Sequence, residues 1–201
     1  MAIMTAVAGV SFGVHASIIQ TWNDEALFLA ANPLVSMESF ESTSSNLMPL
    51  VAGDITVTTD SPHDFFNGVA VGFGIPDGVQ GVKFAADNGN SIFFTFSDPT
   101  KAFGITIRQF GDVGGAPVLT VHDDLGNSHV VYSGPHTANE FFGFVSDADM
   151  TTVRFTATGG NPGDGIYFDK LQYDAVPEPA SIGLIGLFTG GIYFVRRFFV
   201  V

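Results

Sequence analysis

The sequence predicts a mostly β fold, an antiparallel β-sandwich of jelly-roll type with one short N-terminal helix. Three observations point there. Apolar residues recur in short stretches with period-two alternation rather than at helical spacing. Clusters of Gly, Asn, Asp and Pro separate those stretches at intervals of roughly 8 to 12 residues. Phenylalanine is abundant, 21 of 201 residues, and sits mostly in alternating or β-branched surroundings, where aromatic rings favour packed sheets.

Taken in order, Asn23 or Asp24 can cap a helix over the stretch EALFLAANP, which Pro33 ends. Strands are expected at 35–41, 54–59, 69–73, 81–86, 91–97, 102–109, 117–122, 128–132, 140–145, 152–158 and 165–173. The punctuation between them is chemically explicit: DNGN at 87–90, GDVGG at 111–115, DDLGN at 123–127 and GGNPGDG at 159–165. These residues either reach positive φ cheaply or hydrogen-bond their own backbone. No fixed-period repeat interrupts the pattern.

The two ends read differently from the middle. The chain closes on VPEPASIGLIGLFTGGIYFVRRFFVV. Fourteen uncharged residues at 182–195 make only ~21 Å of helix, short of a ~30 Å hydrocarbon core, so a buried core helix competes with a membrane span on length alone. Composition favours the membrane. Gly183, Gly186, Gly190 and Gly191 would each cost about 1 kcal/mol in a water-exposed helix, but glycine is common in membrane helices. Arg196 and Arg197 mark the cytoplasmic side. Pro177 and Pro179 around Glu178 break any regular element and leave an exposed tether.

This order of parts, Pro177-Glu178-Pro179, an apolar span and Arg196-Arg197, resembles the PEP-CTERM sorting signal of Gram-negative bacteria. The resemblance implies that a membrane-embedded exosortase reads the tail and cleaves near the Pro-Glu-Pro motif. It also implies that the C-terminal transmembrane helix anchors the protein only transiently in the inner membrane, before release to the cell surface or exterior. The first sixteen residues fit an export signal, with Val14-His15-Ala16 as the small-x-small site and cleavage between Ala16 and Ser17. A signal needs a basic n-region, and no Lys or Arg precedes Lys83, so the true start is expected upstream. A short N-terminal core strand is the other reading. The organisation is then signal peptide 1–16, ectodomain 17–175 and sorting signal 176–201.

About 160 residues lie between the signals, enough for one domain with its own core. Between residues 24 and 178, five basic against twenty acidic side chains leave a formal charge of −15. Such a surface repels nucleic acid and polyanionic glycans and suits calcium-rich surroundings. There is no cysteine, so the fold depends on its core or on a metal.

The phrases SFEST, AFGITI, VHDDLGN, FFGFVS and GIYFDKLQYDAVPEP resemble the jelly-roll ectodomains that accompany this tail, which are similar to carbohydrate-binding modules. The resemblance implies a calcium site in which a Glu after Phe in the first strand lies beside an Asp in the last; Phe40-Glu41 and Phe168-Asp169 match. Solvent-facing positions on alternating strands are the competing explanation. Asp147, Asp149, Asp123 and Asp124 read as turn formers. His122 and His129 flank one tight turn and so could meet across a hairpin, with too few companions for zinc. Trp22, Phe110, Tyr132, Phe141 and Phe142 are the candidate exposed aromatics, although core packing accounts for most rings. No nucleophile elbow, His-Glu-x-x-His, P-loop or dinucleotide fingerprint is present, and no catalytic residue is assigned.

The expected role is therefore a non-catalytic exported protein of the surface or extracellular matrix, within a biofilm or exopolysaccharide setting. Exosortase, calcium and extracellular polysaccharide are its expected partners, and nucleic acid is not. The alternative is a secreted polysaccharide hydrolase or lyase on the same scaffold.

Overall fold

A computed structural model describes residues 17–43, 48–62, 68–71, 75–76, 78–85, 89–108, 118–134, 138–160 and 165–174. The expected signal-peptide (1–16) and sorting-signal (176–201) segments fall outside them. The elements are β1 (Ile18–Trp22), α1 (Glu25–Ala31), β2 (Val35–Glu38), β3 (Leu50–Ala52), β4 (Ile55–Thr59), β5 (Gly68–Val71), β6 (Gln80–Ala85), β7 (Ser91–Arg108), β8 (Val118–Asp123), β9 (Ser128–Ser133), β10 (Glu140–Thr158) and β11 (Gly165–Asp174). Every strand pairing is antiparallel. No helix among the described residues is long and apolar enough to cross a membrane.

Hydrogen bonds join all eleven strands into one sheet, which β7 and β10 fold over on itself. The second half of β7 and the first half of β10 pair together, with β11 and β1 on their flanks and β6, β5 and β2 beyond β11. That is the first layer. The other halves of the same two strands pair again, flanked by β4 and β3 on one side and by β8 and β9 on the other. That is the second. Alternation turns Phe103, Ile105, Phe142, Phe144 and Phe168 inward from the first layer, and Ile92, Phe94, Val153 and Phe155 inward from the second; all are buried. Rings touch across the gap: Phe155 and Phe168 centroids lie 5.2 Å apart, and Phe94 meets Phe168 edge-on at 5.6 Å and 71°, the geometry aromatic quadrupoles prefer.

The sequence predicts breaks at 98–101 and 146–151, and here the structure differs: β7 and β10 run through as strands of 18 and 19 residues. The local turn chemistry is real but acts as a bend. Pairing is interrupted around Met150↔Thr100, and the backbone donors freed at the bend find one acceptor. Asp174 Oδ1 accepts from Lys101 N at 2.7 Å, from Ala102 N at 2.6 Å and from the Thr100 hydroxyl. Pro99, which lacks an N–H, lies in the interrupted stretch and removes no ladder bond. The expectation missed β1 and β3 altogether.

Asp24 is the N-cap of α1, its Oδ1 accepting from Leu27 N at 3.0 Å. The helix lies on the outer side of the first layer because two glycines make room for it. Gly104 and Gly143 face each other across the β7–β10 ladder, and the Phe28 ring rests over both. A Cβ at Gly143 would come within 2.7 Å of Phe28 Cδ2, and one at Gly104 within 2.7 Å of Phe141 Cζ. Phe28, Phe141 and Ala102 form a second small core with Trp22 packed against it, Trp22 meeting Phe28 at 5.5 Å and 79°. Gln172 Nε2 ties the helix further, donating to Glu25 Oε1.

Two outcomes follow from this packing. Asp174→Ala removes the acceptor that satisfies the β7 bend and lowers stability by about 2–3 kcal/mol, hydrogen bonds to a charged group being the stronger kind; Asp174→Asn costs less in the same urea titration. Gly143→Ala overpacks the seat of α1 at a cost of about 1–3 kcal/mol and moves the emission of Trp22, the sole tryptophan, toward the red.

Candidate functional site

The strongest concentration of unusual geometry lies where β11 changes partners. Its first part pairs with β6, ending at Phe168↔Val82, and its last part pairs with β2, beginning at Leu171↔Glu38. Asp169 and Lys170 occupy the hand-over. Lys170 has φ 49° and Phe40, just beyond β2, has φ 58°, a left-handed conformation that costs a residue with a Cβ roughly 1–2 kcal/mol. Asp169 is 1 % exposed, and its Oδ1 accepts from Lys170 N at 2.7 Å. Glu38 Oε1 accepts from Phe40 N at 2.6 Å.

Glu41 stands in the turn after β2 rather than inside a strand, since β2 ends at Glu38. Its Oε1 accepts from Val79 N at 2.7 Å and Gln80 N at 3.1 Å, so the carboxylate holds down the start of β6. Gly78, at φ 64°, permits this: a Cβ there would lie 1.9 Å from Glu41 Oε1. Glu41 is thus held by the β6 amides, and Asp169 lies on β11 one residue past the last β6 pair, Phe168↔Val82.

One terminal atom of the Gln80 side-chain amide lies 3.1 Å from the Thr43 carbonyl oxygen and 3.2 Å from that of Phe40. With nitrogen in that place, the amide donates to both carbonyls. The amide so ties the start of β6 to the left-handed turn at Phe40, and both carbonyls are satisfied by these bonds. Glu41 and Asp169 are hard carboxylate donors of the kind calcium takes, two toward the six to eight oxygens it requires. No group of three or more His, Asp or Glu that could hold a metal occurs among the described residues, so neutral oxygens must supply the balance. Gln80 and the carbonyls of Phe40 and Thr43 were not expected from sequence, because carbonyl orientation depends on the left-handed turn at Phe40.

The remaining sequence candidates find structural duties. Ser17 is bound by Asp147: its N–H lies 2.8 Å from Asp147 Oδ1 and its hydroxyl 3.3 Å from Oδ2. Asp123 Oδ1 accepts from Leu125 N and Asn127 N, and Asp124 Oδ2 from Thr151 N. Asp149 pairs with Lys101 at 3.7 Å. The expected approach of His122 to His129 does not occur, because the register pairs His122 with Ser128 and His129 with Val121. The two imidazoles therefore leave opposite faces, His129 stacking on Phe142 at 5.6 Å and 18°. Phe141 and Phe142 are buried, Trp22 packs on α1, and Tyr132 is half-buried, its hydroxyl pKa driven up by burial and by Glu140. Phe110, His63, His136, Ala16, Pro177, Glu178, Pro179, Arg196 and Arg197 lie outside the described residues.

No protein-family model matches the chain, and no curated protein matches it. Among solved structures, the K1 cleaved adhesin domain of Lys-gingipain from Porphyromonas gingivalis is similar at a TM-score of 0.47 and 10 % identity, over 70 % of this chain and 98 % of that one. A family 29 carbohydrate-binding module gives 0.41 and 7 %, over 69 % and 90 %. The catalytic domain of an alpha-1,3-glucanase, crystallised with tetrasaccharides, gives 0.41 and 15 %, over 73 % of this chain. The match spans 29 % of the length of that glucanase domain.

Gly78→Ala is expected to push the Glu41 carboxylate off the β6 amides, since both the Cβ contact and the positive φ oppose it. Hydrogen exchange at Val79 and Gln80 should then speed up by about tenfold or more, the equivalent of a lost charge-assisted bond. Glu41→Gln, which keeps an acceptor oxygen, should change those rates less.

Proposed function

We propose that this chain is an exported, non-catalytic protein of the cell surface or extracellular matrix, stabilised by calcium and binding polysaccharide. It reaches that location through export across the inner membrane, transient anchoring by its C-terminal helix and exosortase processing at the Pro177-Glu178-Pro179 motif. The tripartite order of the tail supports the route. The observation that carries the calcium is the buried Asp169 at the partner change on β11, with the Glu41 carboxylate in the turn after β2.

Glu41 and Asp169 would hold the ion, which would supply positive charge beside them. Asp169 is nearly fully buried, and a carboxylate removed from water is held best by charge and hydrogen bonds together. Outside the cell calcium is plentiful, and extracellular calcium modules work at millimolar levels.

Calcium at about one hundred times its dissociation constant should stabilise the full chain by about 2.7 kcal/mol, a rise in melting temperature of roughly 5–10 °C for a domain this size. Magnesium should do less, because it demands a tighter octahedral shell and dehydrates reluctantly. Asp169→Asn and Glu41→Gln should each abolish the rise. A calcium shift that survives both substitutions places the ion elsewhere and rejects this site.

A further inference from the structure

The two outer faces of the sandwich differ. The first layer is roofed by α1, whereas on the second layer strand alternation sets out a row of side chains with no described element over it. Register pairs Thr58 with Phe93, Phe93 with Arg154, Arg154 with His122, and His122 with Ser128. Five strands thus contribute one residue each to a line about 19 Å long at the ~4.8 Å strand spacing. Hydroxyls border it. Thr95 faces Thr152 at 3.5 Å between oxygens, and Ser91 faces Thr156 at 2.9 Å.

At the centre is a hollow of about 230 Å³ lined by Phe93, Asp123, Asp124, Thr152 and Arg154. The Arg154 side chain makes no hydrogen bond or ion pair among the described residues, and its Nε is shut from solvent with no acceptor. A guanidinium N–H in that state is costly, and Arg is suited to planar, two-point donation. Phe93 is half-buried beside it and can take the C–H face of a saturated ring. Asp124 Oδ2 is occupied by Thr151, which leaves Oδ1 to accept. His122 has its pKa lowered, by burial first and then by the Arg154 charge against a smaller opposing effect of Asp123, so its neutral ring offers both a donor and an acceptor.

We propose that this outer face is a platform for a neutral, hydroxyl-rich polysaccharide chain, with Arg154 as the anchoring donor and Phe93 as the stacking surface. The proposal rests on reading the protein as a polysaccharide binder and gives that reading its residues. Mixed donors and acceptors around one ring match a polyol, in which every hydroxyl can do both. An anionic chain is opposed by the two carboxylates in the hollow and by the −15 formal charge around them. A protein partner is opposed by the centre of the face, where Phe93 stands among hydroxyl and charged side chains and the exposed Val51 and Val130 lie apart on β3 and β9, whereas a stable interface needs an apolar centre. The hollow is smaller than the ~300–1,000 Å³ of pockets that engulf a ligand, so it holds one ring of a chain that continues along the row.

The test is affinity electrophoresis of the full chain in a polyoxyethylene detergent, whose headgroup offers no competing sugar, through gels containing hydroxyethylcellulose, dextran, galactomannan or alginate. At least one neutral glycan should retard the protein and alginate should not. Arg154→Ala and Phe93→Ala should each weaken retardation by about tenfold or more, and Arg154→Lys, which keeps charge but loses the fork, should also weaken it, all with unchanged melting temperatures. If no glycan retards the wild type, the polysaccharide reading fails and the platform with it. If the wild type is retarded and the three variants match it, polysaccharide binding stands and this face is the wrong one. Retardation by alginate alone, or a dimer in sedimentation velocity that Phe93→Ala disperses, overturns the ligand in favour of an anion or a second copy.

Discussion

Strands β7 and β10 pair with each other over nearly their whole length, and because both bend at the same level, each belongs to two layers at once. Their common register sets every other side chain in the sandwich. With Phe94 opposite Val153 and Phe103 opposite Phe144, the inward set is apolar on both sides of the bend. A slip by one residue would turn Phe94 and Phe103 to solvent and bring Phe93, Thr95 and Arg154 into the core. The bend is the weak point of such a pair, because interrupted pairing frees backbone donors that cannot be left buried. Asp174, at the end of the last strand, closes that point on β7 with one carboxylate oxygen. The chain therefore satisfies its central bend only when its final described strand is in place.

The alternation that identifies a β-sandwich is local, and it was legible: nine of the eleven strands coincide with expected segments or parts of them, and Asp24 caps the helix as its side chain allows. The merging of 91–97 with 102–109, and of 140–145 with 152–158, was not. Asp98-Pro99 and Asp147-Ala148-Asp149 carry ordinary turn chemistry, and only the distant Asp174 makes the first of them a bend. Glu41 and Asp169 could be picked out by their place after phenylalanine. Gln80 and Gly78 could not, since one acts through the carbonyls of Phe40 and Thr43 and the other through the space it leaves for Glu41. Of the aromatics singled out for exposure, Phe141 and Phe142 are buried and Trp22 and Tyr132 half-buried, while Phe93, hidden within the run SIFFTF, faces outward because parity assigns it there.

Parity also explains why the two layers present such different exteriors. On the first layer the outward positions of the central strands include Ala102, Gly104, Phe141 and Gly143, small residues beside a ring, and they form a seat that Phe28 and α1 fill. On the second the same strands place Phe93, Thr95, Thr152, Arg154 and Thr156 outward. Helix packing needs a hollow with apolar walls, and hydroxyl rows cannot provide one. One face is therefore used up in holding the domain together, which leaves its counterpart available for a ligand.

The junction at Asp169 raises the opposite question, of why strain and charge should gather where no bond demands it. Phe40 and Lys170 are both left-handed without being glycine, at a combined cost of about 2–4 kcal/mol. Glu38, Glu41 and Asp169 each spend an oxygen on backbone amides: Glu38 on Phe40 N, Glu41 on Val79 and Gln80 N, and Asp169 on Lys170 N. Those bonds offset the turn energy and leave the negative charge in place. A turn built only for shape would have glycine at position 40 and a neutral residue at 169, sparing both costs. Under the calcium reading proposed above, an ion held by Glu41 and Asp169 would offset part of that cost. The last strand is fixed at two levels, at its middle, where Asp169 and Lys170 take it from β6 to β2, and at its end, where Asp174 satisfies the β7 bend.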